Sequence, residues 1–194
     1  MNSPVPPFLI YLIGAILIPF LQGRVRSVYM MGLSLAGLWN VLQIDEGTHW
    51  LIPFLDYELV LGRADGLSLI FSNVFAVITP IAVLYNLNAK KTIEHVAGFV
   101  YAGSANGVIL AGDLISLFIF WETLTLCAVA LVLARDHEDS RKAAFRYLLF
   151  HIVGGLILLA GICLYIRDWG TAQFGMIGTD SLYGKLIFLG FGVN

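Results

Sequence analysis

Seven stretches of mostly apolar residues, separated by short polar links, set the limits on what this chain can fold into. Six are complete: Pro7–Gln22, Ser27–Ile44, Leu67–Leu87, Val96–Gly112, Leu114–Ala134 and Ala143–Ile166. The seventh opens near Leu182 and runs to Asn194. A helix needs about 20 apolar residues to cross a hydrocarbon core about 30 Å thick. The first and fourth runs are short and need flanking residues to reach that length. Only 12% of residues are charged and 59% are hydrophobic, whereas a soluble domain carries roughly 25% charged residues. The expected architecture is therefore an all-α integral membrane protein, a multi-pass transmembrane helix bundle with six full spans and a partial seventh. From Leu182 to Asn194 a helix reaches only about 20 Å. The reading is of one transmembrane domain over residues 1–194, the N-terminal part of a longer protein, with an extracytoplasmic linker at 45–66.

Orientation follows from the links. With the N-terminus outside, the inner links hold Arg24, Arg26, Lys90, Lys91, Arg135, Arg141 and Lys142, and the outer ones Arg63, Arg167 and Lys185. Seven against three satisfies the positive-inside rule. No Lys or Arg precedes the first run, so it reads as a retained helix rather than a cleaved signal. In the linker, Leu55-Asp56-Tyr57-Glu58-Leu59-Val60-Leu61 partly alternates, a signal for a short strand or hairpin, punctuated by Gly47, Pro53 and Gly62. Asp113, between the fourth and fifth runs, is placed to cap the fifth helix. Gly103 and Gly107, and Gly154, Gly155 and Gly161, suit close helix approach in lipid. Pro19 and Pro80 are expected to kink or end helical turns. Cys127 and Cys163 sit inside apolar runs and read as packing residues with no disulfide framework.

Composition also excludes. The net charge is -2, and the basic residues form no patch of the kind nucleic acid requires. His49, His95, His137 and His151 place no pair on one helix at metal-ligand spacing. No phosphate loop, nucleophile elbow or dinucleotide fingerprint occurs. No metal and no cofactor is expected.

What remains is a small set of ionisable residues within the apolar runs. Glu122 lies in Leu117-Phe118-Ile119-Phe120-Trp121-Glu122-Thr123-Leu124, roughly 12 Å from the start of its run at 1.5 Å per residue. An acidic or basic side chain at mid-depth costs about 2.5–3.5 kcal/mol on insertion scales, so it faces the bundle interior, pairs, or takes up a proton. Burial disfavours an ionised carboxyl and a nearby cation favours it. A buried Glu with a movable cation partner is thus a proton-binding switch; the plainer alternative is a Glu locked in one hydrogen-bonded pair. On the sixth run, Arg146 is either a headgroup anchor or a cation that biases the carboxylate. His151 lies about 8 Å further in, as a proton relay or as a satisfied polar residue between helices.

Three stretches in order carry a resemblance: Asp65-Gly66-Leu67-Ser68-Leu69 opening the third helix, Phe120-Trp121-Glu122 midway along the fifth, and Lys142-Ala143-Ala144-Phe145-Arg146-Tyr147-Leu148-Leu149 leading into the sixth. Together they resemble the antiporter-like subunits of respiratory complex I (NADH-quinone oxidoreductase) and of Mrp-type Na+/H+ antiporters, nearest among them to MrpD and its relatives. The resemblance implies fourteen core helices with two inverted five-helix repeats. It gives the buried Glu, matching Glu122, a proton-carrying role against a Lys on the seventh helix, and it matches the basic residue of the sixth helix to Arg146. Here the sequence departs, because the Lys position falls on Asn194, the candidate switch position. Lys185 is nine residues earlier, about 13 Å along a helix.

The leading reading is a subunit of a proton-translocating or cation/proton antiport complex, multi-pass in a prokaryotic inner (plasma) membrane. Its partners would be other membrane subunits of a hetero-oligomeric antiporter or complex I-like assembly, with H+ and Na+ or K+ as candidate ions. The alternative is a non-transporting structural membrane subunit of a complex I-like or hydrogenase-like assembly. A quinone or electron-transfer enzyme is the third; its redox chemistry would lie in other subunits.

Overall fold

The computed structural model describes residues 5–54, 57–135 and 137–193. Seven α-helices and one β-hairpin follow in order among them: α1 (Pro7–Leu17), continued by a 3-10 turn at Ile18–Phe20, α2 (Gly23–Val41), β1 (Gly47–Phe54), β2 (Tyr57–Ala64), α3 (Gly66–Asn86), α4 (Thr92–Leu110), α5 (Leu114–Leu133), α6 (Glu138–Trp169) and α7 (Leu182–Val193). By length and composition α3, α5 and α6 can each cross a membrane. Helices α2 and α4, at 19 residues each, are nearly as long but less apolar. Helix α1 with its 3-10 turn is short, as expected; Pro19 sits in that tighter turn and Pro80 lies inside α3.

Helix ends differ from the apolar runs because hydrogen bonding, not hydropathy, sets them. Helix α2 starts at Gly23 and α4 at Thr92, each reaching back through basic residues or a polar turn that hydropathy alone leaves out. Helix α6 has 32 residues, about 48 Å at 1.5 Å per residue, longer than the hydrocarbon core. Its first turn projects beyond the apolar run, where Lys142 and Glu138 form an exposed i,i+4 ion pair at 2.8 Å. Gly170, at φ 68, ends it in the left-handed conformation.

The helices alternate in direction. At one end lie the hairpin, the α4–α5 turn and the α6–α7 link. At the other end Arg26 donates to the Thr92 hydroxyl at 3.1 Å and Lys91 to the Ala134 carbonyl at 2.6 Å, joining α2, α4 and the α5 terminus. Asp113 organises the first end. It caps α5, its Oδ1 accepting the Ser116 N–H at 2.7 Å, while Oδ2 accepts the Ser116 hydroxyl at 2.6 Å and the Val60 N–H of β2 at 2.7 Å. Gly112 N–H donates to the Val60 carbonyl, and Leu114 N–H to the Ala172 carbonyl beyond α6. One buried carboxylate thus holds the hairpin on the helix bundle. The expected strand signal lies in β2 from Tyr57 to Leu61; Leu55 and Asp56 fall outside the described residues. In β1, Trp50 has φ 54 and lays its ring where a Gly62 side chain would sit, edge-on to Phe8 at 6.2 Å.

Small residues seat the helices as expected. A side chain at Gly103 would press on the Phe8 carbonyl and Tyr11 of α1, one at Gly107 on the Phe120 ring, and one at Gly161 on the Ile187 backbone of α7. Around them, Tyr11, Ile18, Met30 and Phe99 form one core, and Leu114, Leu158, Ile162 and Tyr165 another. Cys127 is buried, while Cys163 faces outward.

Two outcomes follow. Asp113→Ala leaves buried donors at Val60 and Ser116 without their acceptor, and should lower stability by about 1–3 kcal/mol in reversible unfolding from mixed micelles. Asp65 caps α3, and the backbone and side-chain hydrogen bonds from Ser68 hold its carboxyl below the usual aspartate range. A depressed folded value means the cap is fully effective above the ordinary aspartate pKa and is lost as pH falls through the folded value. Amide exchange at Ser68 should therefore accelerate on strong acidification in the native chain and lose that acid dependence in Asp65→Asn.

Candidate functional site

Helix α5 is apolar along nearly its whole length, and Glu122 occupies its ninth position. Residues three apart on a helix share a face, so Thr125 joins Glu122 on the side turned to α6. On α6 the buried positions Ala144, His151, Gly154, Gly155, Leu158, Gly161, Ile162 and Tyr165 recur at three- and four-residue steps. His151 and Gly155, at i and i+4, thereby meet Glu122 and Thr125. Two of the sequence-expected residues are brought together: Nε2 of His151 lies 3.2 Å from Oε1 of Glu122. His151 is 4% exposed and Glu122 28%, so the histidine is enclosed and the carboxylate opens to one side.

Gly155 makes the approach feasible. A Cβ there would stand 2.5 Å from Oε1 of Glu122, closer than any side chain tolerates. The carboxylate fills the space a side chain would take. The Glu122 and His151 atoms face each other without the alignment of a directed hydrogen bond. At 3.2 Å the two atoms are close enough to share a proton once either ring or carboxyl turns slightly.

Thr125 completes the group. Its hydroxyl lies 3.2 Å from the Trp121 carbonyl and 3.2 Å from Nδ1 of His151. A hydroxyl has one proton to give. When it donates to Nδ1, the ring carries its proton on Nε2, toward Glu122. When it donates to the carbonyl, Nδ1–H donates to the hydroxyl oxygen, and the Nε2 lone pair faces Glu122 and can take a proton from it. One hydroxyl rotation therefore decides whether His151 offers a proton to the carboxylate or accepts one. Tyr147, one turn earlier, stacks on the ring at 6.3 Å and limits its rotation. Sequence reasoning missed Thr125 and read Gly155 only as a packing glycine; their spacing from Glu122 and His151 along the two helices is the signal that could have placed them at the site.

Arg146 is not part of this group. It is exposed, on a different face of α6 from His151, and about 7.5 Å from it along the axis. Lys185 is exposed in the first turn of α7, near the end that carries the hairpin. Asn194 lies outside the described residues.

Comparison with known proteins agrees with the resemblance. Residues 111–192, which contain Glu122, Thr125, His151 and Gly155, match the family model described as NADH:quinone oxidoreductase/Mrp antiporter, TM. The Na(+)/H(+) antiporter subunit A1 of Staphylococcus aureus (strain JH9) is 31% identical over 123 residues, covering 60% of this chain and 15% of that protein. Among solved structures, one of the membrane-bound sulfane sulfur reductase, an archaeal respiratory membrane complex, matches 99% of this chain and 34% of its own, at 24% identity and a TM-score of 0.85. The Mrp complex from Dietzia sp. DQ12-45-1b matches 96% of this chain and 22% of its own, at 21% identity and 0.75. Respiratory complex I from Thermus thermophilus with bound NADH matches 96% and 42%, at 19% identity and 0.77. These structural likenesses show the fold, and the chain spans 15% of the length of the curated relative. The antiporter-like resemblance read from the sequence is borne out.

Thr125→Val keeps the size of the side chain and removes the partner of Nδ1. The His151 ring should then favour one tautomer, seen as a changed pattern of imidazole 15N shifts, with the fold intact. Gly155→Ala should displace the Glu122 carboxylate and separate it from His151, changing the same spectrum.

Proposed function

We propose that this chain, related to the antiporter-like membrane subunits, forms part of one antiporter-like transmembrane domain over residues 1–194, in which a proton in transit is held between Glu122 and His151. The 3.2 Å approach of Nε2 to Oε1 inside an apolar helix pair carries the reading. Glu122 binds the proton. His151 relays it, its state set by the Thr125 hydroxyl. Arg146, exposed on a different face of α6 and about 7.5 Å along the axis from His151, reaches this pair only through its charge. A carboxylate and an imidazole in contact exchange a proton at little cost, and a histidine titrates near physiological pH.

The chain crosses the membrane six times, α1 to α6, with α7 entering a seventh crossing and the N-terminus outside. The strict alternation of helix ends and the basic residues gathered at the α1–α2, α3–α4 and α5–α6 links support this orientation. The linker 45–66, which carries the hairpin, then lies outside. The subunit works in a prokaryotic inner (plasma) membrane, among other membrane subunits of an antiporter or complex I-like assembly; its likenesses are named an antiporter subunit, an archaeal respiratory membrane complex and an Mrp complex. Na+ is the first candidate for a counter-transported ion, since the Staphylococcus aureus relative is named a Na(+)/H(+) antiporter subunit.

Glu122→Gln and His151→Leu in the full-length assembly should each lower proton flux in proteoliposomes by about 10²-fold, the usual scale for a lost proton-transfer group, with the assembly still isolated intact. Full flux in Glu122→Gln rejects the assignment. An infrared carboxyl band for Glu122 that stays constant through turnover identifies a static structural pair instead.

A further inference from the structure

Away from Glu122, a groove of about 270 Å³ opens on the side of the bundle between α2, α3, α4 and α5. Its walls are mostly apolar, Phe75, Ile78, Val83 and Phe99 among them; Asn86 in the last turn of α3 and Glu94 and His95 in the first turn of α4 stand at one end, and Thr79 and Tyr101 lie further along. From Asn86 to Phe75 it climbs about 16 Å along α3, and from Glu94 to Ala102 about 12 Å along α4. That is close to half of a hydrocarbon core about 30 Å thick, the depth of one leaflet.

The mouth is basic. Arg26 bonds Thr92 at 3.1 Å and lies close enough to His95 to act on its charge, which ties the start of α2 to the groove's polar end. Arg24 and Arg26 in the first turn of α2 and Lys90 and Lys91 just before α4 lie at this end of the bundle, Arg26 held by Thr92 and Lys91 by the Ala134 carbonyl, while Glu94 is the one charged residue in the groove wall itself. Tyr85, 92% exposed one residue before Asn86, stands at the same level, where aromatic residues mark the membrane–water boundary. Gly98 lines the groove, and beyond its own helix backbone and chain neighbours no atom lies within 4 Å of where its Cβ would be.

We infer that this groove binds one anionic phospholipid, an acyl chain along α3 and α4 and its phosphate among Arg24, Arg26, Lys90 and Lys91. A chain-shaped apolar channel one leaflet deep, closed at the headgroup level by net positive charge, is complementary to that molecule, and basic pockets between helices at this level hold such headgroups. Thr79 and His95, both buried, keep to partners on their own chain, the Phe75 and Ala89 carbonyls, so they leave the channel apolar.

The test uses the full-length protein, purified in detergent and offered phosphatidylglycerol or phosphatidylcholine, with retained lipid counted by native mass spectrometry. Gly98→Leu puts an apolar side chain into the groove from a position where a Cβ meets nothing within 4 Å. Arg24→Gln/Lys90→Gln removes two exposed cations. Phosphatidylglycerol should be retained in preference to phosphatidylcholine by the native chain, roughly fivefold less for each removed cation, and not at all by Gly98→Leu, whose melting temperature in detergent should match the native chain. Equal retention of the two lipids, or undiminished retention by Gly98→Leu, overturns the inference. So does a Gly98→Leu chain that loses a partner subunit while native protein carries no lipid, which assigns the groove to a protein helix.

Discussion

A carboxylate can be kept in hydrocarbon only if another helix comes close enough to meet it. In this protein that condition reduces to one missing side chain. Gly155 leaves on α6 the volume that the Glu122 carboxylate occupies, and His151, one turn away, supplies the partner. A side chain at 155 would displace the Glu122 carboxylate from this position. The proposed proton chemistry thus depends on van der Waals contact between helices as much as on the ionisable groups.

The remaining small residues serve the same end at greater range. Gly103 lets α1 approach α4, Gly107 admits Phe120 of α5 against α4, and Gly161 brings α7 onto α6. Lipid gives apolar side chains no incentive to associate, so close backbone approach and satisfied polar groups must hold the bundle. At one membrane face Asp113 adds the polar part, joining the hairpin to the first turn of α5. Since α5 carries Glu122 nine residues later, fixing its start also fixes the depth of the carboxylate.

Two environments result. Between α5 and α6 the polar groups converge: carboxylate, imidazole and hydroxyl lie in one line of contacts. Between α2, α3, α4 and α5 the charged and amide groups stand at one end of a mostly apolar groove, and Thr79 turns its hydroxyl to its own helix. The first suits a proton that must move and the second an acyl chain that stays. Arg146 belongs to neither, and its outward position separates it from the histidine with which it shares a helix.

The sequence alone determined the class of the molecule. Hydropathy and run length are local properties, and lipid leaves an isolated apolar run only one backbone conformation, so the helices, their number and the capping role of Asp113 could be read directly. Glu122 and His151 stood out singly for the same reason, as ionisable residues where none is cheap. The 32-residue reach of α6 was not legible, because its polar first turn is helical through hydrogen bonds and an ion pair rather than hydropathy. Nor could the sequence assign partners. Arg146 and His151 are both basic and both near Glu122 in the chain's logic, yet only the rotation of α6 about its axis, set by Gly154, Gly155 and Gly161 packing inward, decides that the histidine meets the carboxylate and the arginine does not. That rotation is a contact between surfaces far apart in sequence, so it exists only once the helices are packed.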